Sequence, residues 1–140
     1  MYSVLLCLLG TLIACGHDHN HDHDHDRDEG LANTIEVLKI ENLLRDSLAL
    51  APDVEVIVSY LEVPTEAELA KHYHPGEEFV YMLEGAGDLT IKGETITLKE
   101  GDLYKIPIKE VHSFKTTDSQ ARAVVFRVHE KGQPDRVLVD

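Results

Sequence analysis

Four side chains in this 140-residue chain have the types and spacing to hold a cation: His72, His74, Glu78 and His112. The first three lie in the stretch KHYHPGEEFVYMLEG, Lys71 to Gly85. Residues i and i+2 of a strand point to the same face, so the His72 and His74 rings can reach one ion. Pro75-Gly76 then turns the chain, and Glu78, at the head of the next strand, can return to the same point. Two imidazole nitrogens and one carboxylate oxygen form a facial ligand set with room for more. His112, which follows the run Gly101 to Pro107, is the fourth candidate. A lone histidine in a strand is more often a hydrogen-bonded structural residue, but three with an acid at this joint spacing reverse that reading. His129, near the end of the last strand, has no matching role and is expected at the surface. Glu77 faces away from Glu78 in a strand and reads as solvated or as a supporting group.

The elements that must position these groups are strands. Thr34 to Ile40 opens the pattern, and Asn42 to Leu50 fits either a short helix or a continued strand. Val54 to Leu61 is β-branched and apolar on both faces, which predicts a buried strand ended by Pro64. Thr65 to Ala70 reads as a loop or one helical turn. Glu78 to Glu84 is a strand closed by Gly85 and Gly87, and Asp88–Lys92 and Thr95–Leu98 flank Gly93-Glu94 as a two-residue hairpin of type II′. Asp102–Ile106, Val111–Lys115 and Ala121–His129 complete the set. Short strands with turns every 8 to 12 residues predict an all-β sandwich or barrel in a single domain. Phe79, Val80, Met82, Ile91, Leu103, Ile106, Phe114, Val124 and Phe126 are expected to wall it. Tyr60, Tyr73, Tyr81 and Tyr104 read as packing residues.

The N-terminus reads as an address. Val4 to Ala14 is an apolar run of signal-peptide length, too short to span a bilayer. Leu12-Ile13-Ala14-Cys15 resembles the bacterial lipobox, in which the cysteine is lipidated; no Lys or Arg precedes the apolar run. Residues 1–14 are then a signal peptide, Cys15 the lipidation site, and the protein an exported, membrane-anchored lipoprotein on the periplasmic or cell-surface side. Residues 16–30, GHDHNHDHDHDRDEG, contain no apolar side chain except glycine and cannot build a core, so 15–33 is expected to be a disordered tether. His17, His19, His21, His23 and His25 alternate with acids or Asn, a pattern that suits weak binding of zinc, copper or nickel as well as a solvated spacer.

With the turns in place, residues 34–140 resemble a single-domain cupin. The first cupin motif, G-x5-H-x-H-x3,4-E-x6-G, is matched by His72, His74, Glu78 and Gly85, with Glu66 where the leading glycine is expected. The second, G-x5-P-x-G-x2-H-x3-N, is matched by Gly101, Pro107 and His112, with Lys109 for the glycine and Thr116 for the asparagine. The resemblance covers about residues 50 to 130. It implies a double-stranded β-helix, or jelly-roll, barrel holding one divalent transition metal (zinc, iron, manganese, nickel or copper) on His72, His74, Glu78 and His112.

Charge and composition exclude other classes. The formal net charge is −13, of which residues 17–29, with six acids and one Arg, carry −5, leaving −8 for the rest. Nucleic-acid binding needs a basic face and is not expected. The only cysteines are Cys7 and Cys15, so the folded part has no disulfide framework and no thiolate zinc site. Two functions from different classes remain. One is a metal-binding lipoprotein that holds a divalent ion, and a small-molecule ligand, without turnover. The other is a small metal-dependent enzyme, a dioxygenase or isomerase, for which Tyr104, Tyr60 and Lys105 are the weak acid–base candidates. Dimerisation is common among cupins, and Ile35 to Ile40 is a segment that could exchange or add a strand at an edge, so a homodimer is among the expected assemblies.

Overall fold

A computed structural model describes residues 38–140. Over these residues the chain is all-β, with nine strands: β1 (Lys39–Leu48), β2 (Ala51–Val63), β3 (Glu68–Tyr73), β4 (Glu77–Ile91), β5 (Glu94–Lys99), β6 (Leu103–Ile106), β7 (His112–Lys115), β8 (Ala121–Glu130) and β9 (Val137–Leu138). Every pairing is antiparallel, and the order along the main path is β1-β2-β8-β4-β7-β3-β9, with β5 and β6 each pairing β4. The first half of β4 lies between β8 and β6, and its second half between β5 and β7. One long strand therefore serves two sheets, which curl around a common interior as a double-stranded β-helix. The expected signal peptide, the expected lipidation site Cys15 and the expected tether with His17 to His25 lie outside the described residues.

Glycine explains why β4 is continuous although the sequence reads as a stop at Gly85. Gly85 adopts a positive φ of 74° beside a register shift between Met82 and Glu84, and a Cβ there would fall 1.9 Å from the Gln120 carbonyl oxygen. A bulge at a residue that needs no Cβ bends the strand instead of ending it. The following hairpin is shifted by one residue from expectation. Ile91 pairs with Glu94, so the loop is Lys92-Gly93, with φ of 55° and 78°, a type I′ turn rather than type II′. The segment expected as a loop or helical turn, Thr65 to Ala70, supplies the first half of β3, and Asn42 to Leu50 continues as strand through Leu48.

The core is Val63, Leu69, Val80, Met82, Leu89, Ile91, Leu98, Ile106, Phe114, Ala121, Ala123 and Val125. Five of the residues expected to wall the barrel do so: Val80, Met82, Ile91, Ile106 and Phe114. Phe126 and Leu103 instead face outward, at 41% and 66% exposure, and Phe79 and Val124 are half-buried. On β8 the inward row is Ala121, Ala123, Val125, Arg127 and His129, the opposite parity to Val124 and Phe126. Alternation sets this outcome, because one face of a strand must take every second residue whatever its size. His129, expected at the surface, is therefore buried at 6% exposure. By contrast β1 is exposed along its whole length and, among the described residues, pairs only with β2, leaving Ile40, Leu43, Leu44 and Leu48 at an open edge there.

Candidate metal centre

The site begins with β3 and β7, which pair so that His72 lies opposite His112. His74 follows β3, Pro75-Gly76 makes the turn, and Glu78 is the second residue of β4. The turn packs hard against β8: a Cβ on Gly76 would lie 1.9 Å from the Val128 carbonyl oxygen. Only glycine lets the backbone come this close, and that approach fixes the direction in which His74 and Glu78 leave the turn. From the other side, the Lys109 backbone N–H donates to the His74 carbonyl at 3.0 Å.

The two motif positions where glycine is replaced keep the glycine-like backbone. Glu66 and Lys109 both have φ of 57°, the left-handed region. The Glu66 N–H donates to the Thr117 carbonyl at 3.1 Å. Thr116, in place of asparagine, is fully buried; its hydroxyl donates to the Pro64 carbonyl and accepts from the Ala67 N–H at 3.0 Å. The substitutions thus leave the turns intact and put the cost into backbone strain of about 1 kcal/mol each.

All four candidate ligands are buried. The three imidazoles converge, with one ring nitrogen from each of His72, His74 and His112 within 4.8 Å of the others. Each Nδ1 meets a backbone carbonyl: His72 that of Ala70 at 2.7 Å, His74 that of Asp135 at 2.5 Å and His112 that of Glu110 at 2.9 Å. A carbonyl can only accept, so Nδ1 carries a proton in each ring; the Nε2 atoms of His72 and His112 are left to bind, and that of His74 faces the Glu78 carboxylate, where a proton or a metal ion can sit. The Glu78 carboxylate adjoins two of the three, 2.7 Å from His74 Nε2 and 3.8 Å from His112 Nε2. A carboxylate and imidazole nitrogens packed this tightly need a proton or a cation among them.

Burial keeps two of the three rings free of added protons. Burial pushes the His72 imidazole down to about 4, and burial also lowers that of His112, so both rings are neutral at pH 7. Burial works to raise the Glu78 carboxyl, but the hydrogen bond and charge of His74, with His112 and Arg127, outweigh it and hold Glu78 below its ordinary range. Neutral imidazoles with an ionised carboxylate are the ligand forms a divalent ion requires. The three-histidine cluster can bind such an ion.

Two spaces flank the cluster. One, of about 40 Å³, is the apolar interior, where Glu78 and His112 are the polar lining residues. The other, of about 70 Å³, lies against His72, His74 and Glu78 and is lined also by Ser59, Arg127 and Arg136. Ser59, Arg127 and Asp135 were not legible as site residues; the alternation of β8 from Val125 would have placed Arg127 inward, and nothing in the sequence marks Asp135. The weak acid–base candidates stand elsewhere. Tyr60 bonds Glu62 at 3.1 Å, Lys105 pairs with Glu77 at 2.6 Å at the surface, and Tyr104 packs on the core.

Both the fold and the site define a cupin, and the family comparison agrees. The Cupin domain family matches residues 59–129, and the chain belongs to that family. It is 36% identical over 61 residues to polyketide synthase CurC of Streptomyces cyaneus, covering 43% of this chain but only 40% of that protein. It is 31% identical over 90 residues to an uncharacterised Aquifex aeolicus protein, covering 59% of this chain and 74% of that one. Among solved structures, the DMSP lyase DddQ of Ruegeria pomeroyi is similar with a TM-score of 0.61 at 21% identity, over 77% of this chain and 54% of the lyase. An RmlC-like cupin with a double-stranded β-helix fold from Methanocaldococcus jannaschii gives 0.58 at 16% identity, over 70% of this chain and 85% of that one. At these identities the structural matches speak for the fold alone.

Proposed function

We propose that this protein is a metal-binding cupin that holds one divalent transition metal on the Nε2 atoms of His72, His74 and His112 and the carboxylate of Glu78. The observation that carries this reading is the triple Nδ1-to-carbonyl arrangement, which turns three ring nitrogens toward one point beside a buried carboxylate. Zinc, iron, manganese, nickel and copper all suit imidazole with a carboxylate. Bound there, a divalent ion supplies a Lewis acid with coordination positions open to a small ligand. The chain's own part is to fix the three tautomers, exclude bulk water with the apolar wall, and release protons as the ion enters.

The space beside the ligands favours a second reading, an enzyme acting on a small molecule, on the same fold as the lyase. Among the described residues, however, the groups lining the two flanking spaces beyond the ligands are aliphatic and aromatic side chains, one hydroxyl and two guanidinium groups, none a base at neutral pH. Binding without turnover is therefore the reading we hold. We propose further that Cys15 is lipidated, that residues 16–30 tether the barrel to a membrane and collect metal through His17 to His25, and that the exposed β1 edge joins two copies.

Elemental analysis of protein purified without metal-affinity resin tests the centre. Wild type is expected to carry at least one equivalent more than H74A; equal metal in the two ends the assignment. Cell fractionation of C15S is expected to move the protein out of the membrane, and unchanged membrane association rejects the anchor.

A further inference from the structure

Arg127 is buried at 8% exposure, yet none of the ion pairs among the described residues includes it. Its contacts are neutral. Nη2 donates to Ser59 Oγ at 2.6 Å and to Asn42 Oδ1 at 3.5 Å, and Nη1 to the Asp135 carbonyl at 3.5 Å. Its Nε–H is buried with no partner among the described residues. A buried charge is costly unless it is paired, and here a pairing was within reach and not made. Arg127 on β8 is the direct cross-strand partner of Glu78 on β4, but the Glu78 carboxylate turns to His74 and His112. The guanidinium is thereby left beside the space that His72, His74 and Glu78 also line, with Arg136 as a second cation there. With a divalent ion bound, one carboxylate and two guanidinium groups would leave that space with three net positive charges, inside a chain whose total is −13.

We infer that the small molecule received by this centre is a short organic anion, whose carboxylate is held by Arg127 and reaches the metal side of the same space. This rests on the metal-binding reading above. Size limits the ligand as well as charge: about 70 Å³ admits roughly five to seven water-sized groups. That is the scale of a two- or three-carbon acid. The carboxylate would take the hydrogen-bonding capacity that Ser59 and Asn42 leave unused on the guanidinium, including the free Nε–H, in the charge-assisted geometry that arginine favours.

The test uses the full-length, zinc-loaded protein titrated with lactate and with its neutral isostere lactamide, zinc content being measured in parallel. Lactate is expected to bind roughly ten- to hundredfold more tightly than lactamide. That preference is expected to collapse in R127M when the two proteins are compared at equal zinc occupancy, which separates Arg127 from the zinc ion and from zinc held by the tether. In protein labelled with nitrogen-15 at arginine, the buried Nε–H resonance of Arg127 is expected to shift on adding lactate, a readout that needs no folded variant. Equal affinity for the two ligands, an R127M that binds lactate like wild type, or an unmoved Nε–H signal overturns the inference while leaving the metal centre standing. A wild-type protein that takes up no more zinc than H74A ends the metal reading and this one with it.

Discussion

Acidification of the metal-free protein should destabilise it through His72. Burial holds this imidazole at about 4, against an ordinary value of 6.5. Between those two values the unfolded chain binds a proton that the folded chain refuses, so stability rises with pH across the window and is lost as pH falls through it. The contribution is fully present above 6.5. From pH 7 to pH 5 the single group withdraws roughly 2 kcal/mol, because about 1.5 units of the gap have been crossed at 1.36 kcal/mol per unit. His112 is shifted in the same direction and adds to the loss. Glu78, held below 4.5, acts only at lower pH, where its stabilising charge is titrated away. Urea unfolding in the presence of a chelator, at pH 7 and pH 5, measures the effect, with H72N as reference because asparagine has no proton to gain in this range. Wild type should lose about 2 kcal/mol more than H72N between the two pH values. Parallel losses in the two proteins would show that His72 titrates normally and that the site is wetter than its burial implies.

Two further outcomes follow from the turns. Lys109→Gly relieves the left-handed lysine at a cost in unfolded-chain entropy, and should stabilise the protein by a net of about 0.5 kcal/mol, read as a higher urea midpoint at unchanged slope. No change or a loss would mean that the strain is absorbed elsewhere. Gly76→Ala places a methyl against the Val128 carbonyl and should push the His74–Glu78 turn off β8, weakening zinc binding about 10- to 100-fold in a competition titration. Unaltered zinc affinity would show that the turn does not aim the ligands.

Much of the site was readable because its chemistry is written in spacing. His72 and His74 share a face, and a proline-glycine turn returns Glu78 toward them, whatever the rest of the barrel does. The strands were readable where one face is apolar, as in β4 and β5. What stayed hidden depends on parity or on distance along the chain. On β8 the run Ala-Arg-Ala-Val-Val-Phe-Arg-Val-His offers apolar side chains to both faces, and bulk favoured the wrong one; the small alanines face inward, where the core leaves least room. Gly87 reads as a break, yet its missing side chain is the space filled by Phe114, whose ring atoms would lie 2.2 Å from a Cβ. The hairpin moved by one residue because a lysine takes a positive φ that the sequence alone assigns to glycine or asparagine. The partner of His74 is a backbone carbonyl 61 residues away, and a carbonyl has no residue type to give it away.

That last contact makes one end of the fold a clasp on the other. The Asp135 carbonyl fixes the His74 tautomer, Arg45 grips the Asp135 side chain at 2.5 Å, and Val137–Leu138 zip onto the strand that bears His72. A protease nick before Asp135, or a bulky fusion that pries the closing strand loose, would free two histidines at once to rotate and to trade protons. The barrel would survive such damage with its core in place, and the convergence of the three imidazoles would not.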